Sequence, residues 1–512
     1  MSTASFVIMA VIILYLIGMV LVGFSFSKGN DDSADFYLGG RKMGPIVTAM
    51  SAEASDMSSY LLMGLPGLAY LTGICDVGWT VIGLATGTYL NWLFVAKRLR
   101  RYSAKINAIT VPEFFSKRFH DDKNILSFIA AIVIIVFFVP YTASGFSACG
   151  KLFNSLFGVN YMTAMIVSAI IIVTYTVLGG FKAVSTTDLI QSIVMTVALI
   201  VVVFFGINQA GGWDNVVENA KALPGYLNMN AMYDVSTNTA VGYGGIITII
   251  STLAWGLGYF GMPHILLRFM AIESEDKLKI SRRVASIWVV IAMAIAVIIG
   301  MVGLGMTKAG VIDYLDTTSS SETIIIQIAN VMKENGLLLT IVAGLVLAGI
   351  LAATMSTADS QMLAAASSFS QNIVVEFMGK KIDEKKNLLF ARGTIVVISI
   401  IALFLAMNPE SSVFQIVAFA WAGFGGAFGA VMLLALFWKR ANLQGALAGM
   451  IGGGAMVFIW KFLIKPIGGI FGIYELLPAF IVSLVLMVVV SLMTAEPDKS
   501  IVDEFEAVKN CK

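Results

Sequence analysis

The chain has 512 residues, of which 58% are hydrophobic and only 12% charged, and its formal net charge is +2. Its mean hydropathy is +0.88, which excludes a soluble enzyme and indicates a polytopic membrane protein. Three cysteines, Cys75, Cys149 and Cys511, have neither a pairing pattern nor metal-ligand spacing and are interpreted as free thiols.

Apolar segments of membrane-spanning length recur along the whole chain. At about 20 residues per crossing, the sequence predicts thirteen helical spans, and the ninth is long enough to extend beyond the bilayer. The spans lie near residues 6–26, 45–72, 75–96, 124–149, 160–180, 188–208, 241–268, 284–307, 336–376, 388–407, 413–438, 444–464 and 469–493. The sequence therefore predicts an all-α membrane protein.

The segments between the spans contain no soluble domain. Residues 106–119 are predicted to form a short amphipathic helix with Thr110 as its N-cap, and residues 209–240 a polar external loop. We expect one membrane domain over residues 1–494 and a mobile, charged cytoplasmic tail over residues 495–512.

Basic residues indicate the orientation. With the N-terminus outside, 27 lysines and arginines fall in cytoplasmic segments, and 6 lysines fall in external ones. This distribution agrees with the positive-inside rule, so the N-terminus is predicted to be outside and the C-terminus inside.

Polar residues interrupt the second span. The segment SAEASDMSS, residues 51–59, places Glu53 and Asp56 where a helix should cross lipid. A central Asp costs roughly 2.5–3.5 kcal/mol on insertion scales, so such residues are tolerated where they face a polar cavity or bind an ion. Interrupted helices of this kind form the mid-membrane sites of secondary transporters.

A second interruption, WGLGYFGMP at residues 255–263, lies in the seventh span. Five spans separate the two interruptions, and because five is odd, corresponding helices run in opposite directions. The pattern predicts two inverted five-helix repeats, over residues 45–208 and 241–438.

Four carboxylates lie within or at the edge of the apolar spans, namely Glu53, Asp56, Asp188 and Asp359. No lysine or arginine is expected at equal depth, since Arg268 is assigned to a cytoplasmic helix end. Buried anions without a cationic side chain need protonation, hydrogen bonds or a bound cation. Helix capping is the alternative, above all for Asp188.

Two further segments carry candidate chemistry. LAATMSTADSQ, residues 351–361, offers hard oxygens within one helical turn, which suit Na⁺. In the seventh span Trp255, Tyr259 and Pro263 repeat every four residues on one face, as either packing or a cavity wall. Neither a nucleophile–base pair nor a histidine cluster supports an enzyme.

These segments together resemble the sodium/solute symporter family, and within it the bacterial members that transport proline. The likeness runs from about residue 35 to 460, through SAEASDMSSYLLMGLPG, WGLGYFGMPHILLRFMA and LAATMSTADSQ. It implies a LeuT-type core of two inverted repeats in the bacterial cytoplasmic membrane. It also implies Na⁺-coupled import of a small amino acid, expected to be L-proline, by alternating access, without enzyme activity, nucleic acid or an obligatory protein partner.

The resemblance also implies site residues. The core sodium site falls on the carbonyls of Ala54, Met57 and Ala353 and the hydroxyls of Ser356 and Thr357, with Asp56 as an acid associated with sodium coupling. A further sodium site of some members falls on Asp188, Ser356, Asp359 and Ser360. The substrate is expected near Glu53, Ser58, Ser59, Tyr60, Tyr141, Trp255, Tyr259, Met262 and Pro263.

Four of those substrate positions depart from the proline pattern, which has Gly, Gly, Trp and Gln where this chain has Glu53, Ser59, Tyr60 and Met262. Another small amino acid or organic solute therefore remains an alternative substrate. Glu53 leaves three roles open: a protonated hydrogen-bond donor, a carrier of a transported proton, or a partner of a substrate ammonium or ion. A fourth interpretation is a vestibule residue that only adds negative potential.

Overall fold

A computed structural model describes residues 2–26, 33–380 and 383–510. The helices are α1 Thr3–Phe26, α2 Ser33–Leu38, α3 Pro45–Ser59, α4 Leu65–Thr72, α5 Ile74–Leu90, α6 Ala96–Lys105, α7 Val111–Arg118, α8 Ile125–Phe157, α9 Tyr161–Gln209, α10 Trp213–Lys221, α11 Ile246–Leu253, α12 Pro263–Ala271, α13 Leu278–Lys308, α14 Thr318–Ser321, α15 Ile324–Met332, α16 Leu337–Ser367, α17 Glu384–Leu405, α18 Val413–Phe424, α19 Ala430–Phe437, α20 Leu443–Ile459, α21 Leu476–Met493 and α22 Lys499–Asn510. Strands β1 Ala231–Asp234 and β2 Thr239–Gly242 form an antiparallel hairpin. The predicted all-α, polytopic class is confirmed.

Ten of these helical segments are long and apolar enough to span a membrane, and a bent pair, Ile246–Phe260 with Pro263–Ala271, adds an eleventh if it is one span. Helix α9 supplies two of the ten because its backbone leaves the helical region at Gly180, with φ 63°. The predicted spans at 45–72 and 75–96 consist of shorter pieces, since α3, α4 and α5 have 15, 8 and 17 residues.

Helix α3 breaks at one residue. Ser58 has φ 47° and ψ −169°, a conformation that few residues other than glycine adopt, and its Oγ accepts the Tyr60 N–H at 3.0 Å. The π-helical segment Tyr60–Gly64 then leads into α4. Glu53 and Asp56 therefore lie in the regular part of α3. The predicted interruption at residues 51–59 therefore does not break the helix at Glu53 or Asp56, because within α3 the backbone leaves the helical conformation at Ser58.

The seventh predicted span is interrupted where its sequence indicates. After α11, residues Ala254–Phe260 form a 3₁₀ helix, Met262 is extended, and α12 begins at Pro263. Proline suits this first helical position because its missing N–H needs no intrahelical partner there. The two halves meet at an angle of 44°.

Glycines allow this broken span to touch α5 backbone to backbone. A Cβ added to Gly256 would overlap the Gly83 carbonyl oxygen, and one added to Gly87 would overlap the Gly256 carbonyl oxygen. These close contacts fix the 3₁₀ segment, with Trp255 and Tyr259, against the rest of the protein.

The long helix α16 lies at the centre of the fold. It packs against α1, α3, α8 and α9, and the π-helical segment Ser368–Phe377 prolongs it, as the length of the ninth predicted span indicates. Because α16 contacts α3 directly, its polar turn meets the break in that helix.

The amphipathic helix predicted at residues 106–119 is present as α7, and Thr110 Oγ1 accepts the Glu113 N–H at 3.2 Å.

The expectation of a mobile tail is wrong for residues 499–510, which form α22 and bury Ile501, Phe505 and Val508. The ring of Phe505 attracts guanidinium groups from the neighbouring helices, with the Cζ atoms of Arg98 and Arg118 4.9 and 5.1 Å from its centroid.

Some elements have no counterpart in the sequence analysis. Helix α10 and strand β1 lie within the predicted external loop at residues 209–240, β2 runs two residues beyond it to Gly242, and α14 and α15 follow α13. Cys75 and Cys149 are free and buried, whereas Cys511 lies outside the described residues. Within the described part of the chain, no group of three or more His, Cys, Asp or Glu side chains could hold a metal ion.

The contact between Gly256 and α5 gives a prediction about stability. Gly256→Ala should lower the free energy of unfolding by about 1–3 kcal/mol, the usual cost of overpacking, because the new methyl group would meet a backbone carbonyl. Thermal unfolding of the purified protein measures the loss. Gly393→Ala, where a Cβ has nothing within 4 Å, is the control, and equal melting temperatures for both variants would contradict the packing argument.

Candidate functional site

The break in α3 leaves backbone carbonyls that meet side chains of α16. Ser356 Oγ donates to the Ala54 carbonyl at 2.8 Å and lies 3.1 Å from the Ala353 carbonyl, and Thr357 Oγ1 donates to the Ala353 carbonyl at 3.2 Å. All of these residues are buried. Four of the five predicted sodium ligands thus lie together as a cluster of neutral, hard oxygens, the kind that Na⁺ prefers.

The fifth predicted ligand, Met57, lies at the break itself. Its carbonyl accepts the Tyr60 N–H, so it is satisfied locally and not by α16. The structure therefore places Met57 beside the cluster without joining it to the other four.

Asp56 connects three elements of the fold. Tyr259 OH donates to Asp56 Oδ2 at 2.6 Å, and Tyr141 OH donates to the Asp56 carbonyl at 3.3 Å. The first tyrosine comes from the 3₁₀ segment before α12 and the second from α8. Asp56 is 6% exposed, so its buried carboxyl group is satisfied by the Tyr259 hydroxyl and its backbone carbonyl by the Tyr141 hydroxyl.

A small cavity opens next to Asp56. The volume open to the centre of a water molecule is about 10 Å³, room for about one water and too little for an amino acid. The structure is therefore closed around this cavity. Its walls are formed by Asp56, Met57, Tyr60, Leu84, Tyr141, Trp255, Met293, Val417 and Trp421.

An aromatic layer separates this cavity from a larger vestibule. The Trp255 ring lies 5.8 Å from Tyr60, 5.7 Å from Phe414 and 4.9 Å from Tyr474, measured between ring centroids. The vestibule beyond has a volume of about 470 Å³, and Trp255 and Phe414 line it together with charged residues such as Asp76. Trp255 faces both spaces, which makes it a divider between them and more than a packing residue.

Glu53 faces away from the small cavity. Trp92 Nε1 donates to Glu53 Oε1 at 3.0 Å, and Glu53 is 1% exposed. Its second oxygen, Oε2, has no hydrogen-bond partner among the described residues. The interpretation of Glu53 as a vestibule residue that only adds negative potential is wrong, because Glu53 is buried and does not line the vestibule.

The other predicted substrate residues divide into two groups. Tyr60, Tyr141 and Trp255 line the small cavity, and Tyr259 reaches it through its hydrogen bond to Asp56. The remaining predicted positions are buried but do not line it, namely Glu53, Ser58, Ser59, Met262 and Pro263.

The expectation that no cationic side chain lies as deep as the acids is wrong. Arg268 is 2% exposed, and its Nη2 lies 3.0 Å from Asp188 Oδ2 and 2.6 Å from Ser360 Oγ. Helix α12 continues to Ala271, so Arg268 is inside the helix, and its long side chain reaches inward. Asp359, in turn, accepts the Tyr175 hydroxyl at 2.8 Å.

Sequence reasoning missed several residues of this region. Trp92, Tyr175, Met293 and Trp421 are aromatic or apolar residues in apolar spans, and nothing in the sequence distinguishes them from packing residues. Arg268 did carry a signal, since it is the one charged residue in the apolar run HILLRFMA.

Comparison with known proteins identifies the family of the chain. The family model described as the sodium:solute symporter family matches residues 36–453. The chain belongs to this family. An osmoregulated proline transporter, OpuE, of Bacillus subtilis is 39% identical over 489 residues, which cover 95% of both chains. A sodium/proline symporter of Staphylococcus aureus is 38% identical over 506 residues, covering 98% of this chain and 95% of that one.

Solved structures share the fold of this symporter family member. A Na⁺-coupled sialic acid symporter in a substrate-bound outward-open state matches with a TM-score of 0.77 at 17% identity, covering 96% of this chain and 99% of the other. A transporter of the nucleobase-cation-symport-1 family in a closed conformation matches with a TM-score of 0.53 at 13% identity, over 94% and 99% of the two chains.

Proposed function

We propose that this chain is a Na⁺-coupled symporter that imports a small amino acid across the bacterial cytoplasmic membrane, and that this amino acid is L-proline. The observation that carries the proposal is the meeting of the α3 break with α16, which gathers the oxygens of Ala54, Ala353, Ser356 and Thr357 at membrane depth. The names of the two bacterial relatives support both the ion and the substrate.

In the proposed cycle, Na⁺ replaces the internal hydrogen bonds of this oxygen cluster and bridges α3 to α16. The substrate enters from the vestibule when the aromatic layer parts, and its apolar portion packs against Trp255 and Tyr60. Its carboxylate faces backbone N–H groups at the break in α3. Because the ion and the substrate both favour closure, each raises the affinity for the other.

Contacts on the predicted cytoplasmic side hold that side closed. Arg41 Nη1 donates to the Met270 carbonyl at 2.8 Å, and Nη2 donates to the Ser103 and Ala108 carbonyls at 3.0 and 2.5 Å. Release of the substrate to the cytoplasm requires α12 to separate from this arginine. The downhill movement of Na⁺ would drive the cycle in the direction of import.

The proposal includes a finer architecture. It places the N-terminus outside, counts thirteen crossings, and pairs the five-helix units at residues 45–208 and 241–438 as inverted repeats within one domain over residues 1–494. The positions of the two broken helices, α3–α4 and α11–α12, at the start of each unit support this arrangement. Residues 499–510 of the tail are docked as α22.

The function is tested by uptake into proteoliposomes. With an inward Na⁺ gradient, labelled L-proline should accumulate above its external concentration, and other amino acids should compete weakly. A panel of labelled amino acids identifies the substrate if proline is not accumulated. Equal uptake with Na⁺ and with K⁺ outside would reject sodium coupling.

The sodium site is tested on α16. Ser356→Ala and Thr357→Ala should each raise the Na⁺ concentration for half-maximal uptake by about tenfold to a hundredfold, since a contact to a charged group contributes about 1.5–3 kcal/mol. Thr354→Ala is the matched control, because the Thr354 hydroxyl bonds the Ile350 carbonyl of its own helix at 3.0 Å. If Na⁺ dependence is unchanged in both site variants at normal membrane abundance, the site is elsewhere.

Proton coupling through Glu53 is the second candidate function. It is motivated by the buried carboxyl group of Glu53, of which one oxygen is hydrogen-bonded to Trp92 and the other has no partner among the described residues. Glu53→Gln keeps an oxygen for the Trp92 N–H and removes the ability to exchange a proton. We expect Na⁺-driven uptake to persist in Glu53→Gln and to fall in Glu53→Ala, which loses the contact. Loss of concentrative uptake in Glu53→Gln alone, with normal abundance, would instead assign the coupling to a proton on Glu53.

A further inference from the structure

An apolar groove runs along α17 on the lipid-facing surface of the protein. Its volume is about 800 Å³. One wall consists of α8 and the π-helical segment that prolongs α16, and the other is the face of α17 formed by residues three or four positions apart, namely Lys386, Phe390, Gly393, Val397 and Ile401. We propose that this groove binds one acyl chain of an anionic phospholipid of the cytoplasmic leaflet, whose phosphate group pairs with Lys386.

The walls of the groove suit a hydrocarbon chain. Apart from Lys386 and Thr394, the side chains that line it carry no polar group, and the Thr394 hydroxyl donates to the Phe390 carbonyl of its own helix at 2.9 Å. The rings of Phe369 and Phe390, with centroids 5.7 Å apart, connect the two walls. A polar ligand would therefore find no free side-chain partner beyond Lys386 among the described residues, whereas an acyl chain needs none.

The glycine at residue 393 is not explained by packing within the protein. Glycine inside a helix is less favourable than alanine, and elsewhere in this chain it is required where a Cβ would overlap a neighbouring helix, as at Gly256. A Cβ on Gly393 would have no described atom within 4 Å. Gly393 is exposed and lies midway along the groove, so its missing side chain leaves room for an external chain to pass.

The length and polarity of the groove match a lipid of the cytoplasmic leaflet. The stretch from Lys386 to Ile401 measures about 22 Å along the helix axis, and one leaflet of the hydrocarbon core is about 15 Å thick. On the predicted orientation, Lys386 lies at the cytoplasmic end, near the lipid headgroups. Its ammonium group is exposed and has no ion-pair partner within the described part of the chain. Lysines at this level attract anionic phospholipids, which supplies the charge complementarity.

A helix from a second copy of the chain does not fit this groove. With a diameter of about 10–12 Å including side chains, a helix occupies roughly 1,800 Å³ over 22 Å, about twice the volume of the groove. A single acyl chain is thinner than a helix, and the surrounding bilayer supplies it. The exposed walls at Leu389, Val397 and Ile401, which are 70%, 56% and 47% exposed, give such a chain lateral access. The inference does not depend on the identity of the transported substrate.

Native mass spectrometry of the purified full-length protein tests the site. The protein is offered equal amounts of phosphatidylglycerol, which is anionic, and phosphatidylcholine, which is zwitterionic, with identical acyl chains. The wild-type protein should retain one phosphatidylglycerol molecule more tightly than any other lipid. Lys386→Gln should lower the preference for phosphatidylglycerol about fivefold, the effect of one lysine near an anionic headgroup. Gly393→Phe places a ring in the groove and should abolish retention of that molecule.

Two variants serve as matched controls. Lys380→Gln makes the same chemical change at an exposed lysine that does not line the groove. Gly18→Phe makes the same change on α1, at a glycine whose added Cβ would also have no described atom within 4 Å. Both proteins should retain phosphatidylglycerol as the wild type does.

Crosslinking of the wild-type protein decides the question even if a variant does not fold. Phosphatidylglycerol with a photoreactive acyl chain should attach to the peptides of α8 and α17 that contain Ile132 and Val397, and unlabelled phosphatidylglycerol should compete better than phosphatidylcholine. Crosslinks spread evenly over exposed helices such as α1, or equal competition by the two lipids, would refute the inference. Wild-type lipid retention in Gly393→Phe would also overturn it. A dimer that only Gly393→Phe disrupts would assign the groove to a second copy instead.

Discussion

A helix that breaks inside a bilayer must find new partners for the backbone groups it releases, because lipid offers none. In this protein the break at Ser58 is satisfied from two directions. The Ser58 side chain takes the Tyr60 N–H, and Ser356 of α16 donates to the Ala54 carbonyl. The contact between Ser356 and Ala54 brings hydroxyl and carbonyl oxygens together without a charged group among them. An arrangement that satisfies the backbone in the closed state is also one that a small hard cation can enter, by replacing hydrogen bonds with ion contacts.

The same break positions one wall of the adjacent cavity. Tyr60 follows Ser58 directly and contributes its ring to the aromatic layer with Trp255 and Phe414. Its position therefore depends on the backbone geometry at Ser58. The cavity on one side of that layer has a volume of about 10 Å³, and the vestibule on the other side has about 470 Å³. Rotation of the side chain of one residue cannot enlarge the small cavity to the size of the vestibule. In the proposed cycle, opening would move the broken segments that carry Tyr60 and Trp255, and both segments end at residues outside regular α-helix.

The sequence predicted this region well where composition or a long motif carried the information. Apolar length predicted most spans, polar interruption located both breaks, and motif similarity gathered Ala54, Ala353, Ser356 and Thr357. It failed where the outcome depends on tertiary contact. A serine at residue 58 and one at residue 59 read alike in sequence, yet only the first adopts the positive φ. Similarly, the sequence of α22 is typical of a solvated charged tail, and only the structure shows that its Phe505 face contacts Arg98 and Arg118. The depth of Arg268 depends on where α12 ends, which is among the least predictable features of a helix.

The buried acids differ in how fully their carboxyl oxygens are hydrogen-bonded. Glu322 accepts from Lys151 Nζ, the Ser412 hydroxyl and the Val413 and Phe414 amides, so both of its oxygens are satisfied and it fixes the start of α18. Glu53 Oε2 and Asp188 Oδ1 have no hydrogen-bond partner among the described residues. An unsatisfied buried carboxylate oxygen costs free energy in a static protein. In the proposed cycle, an ion, a proton or a moving side chain would satisfy this oxygen in another conformation.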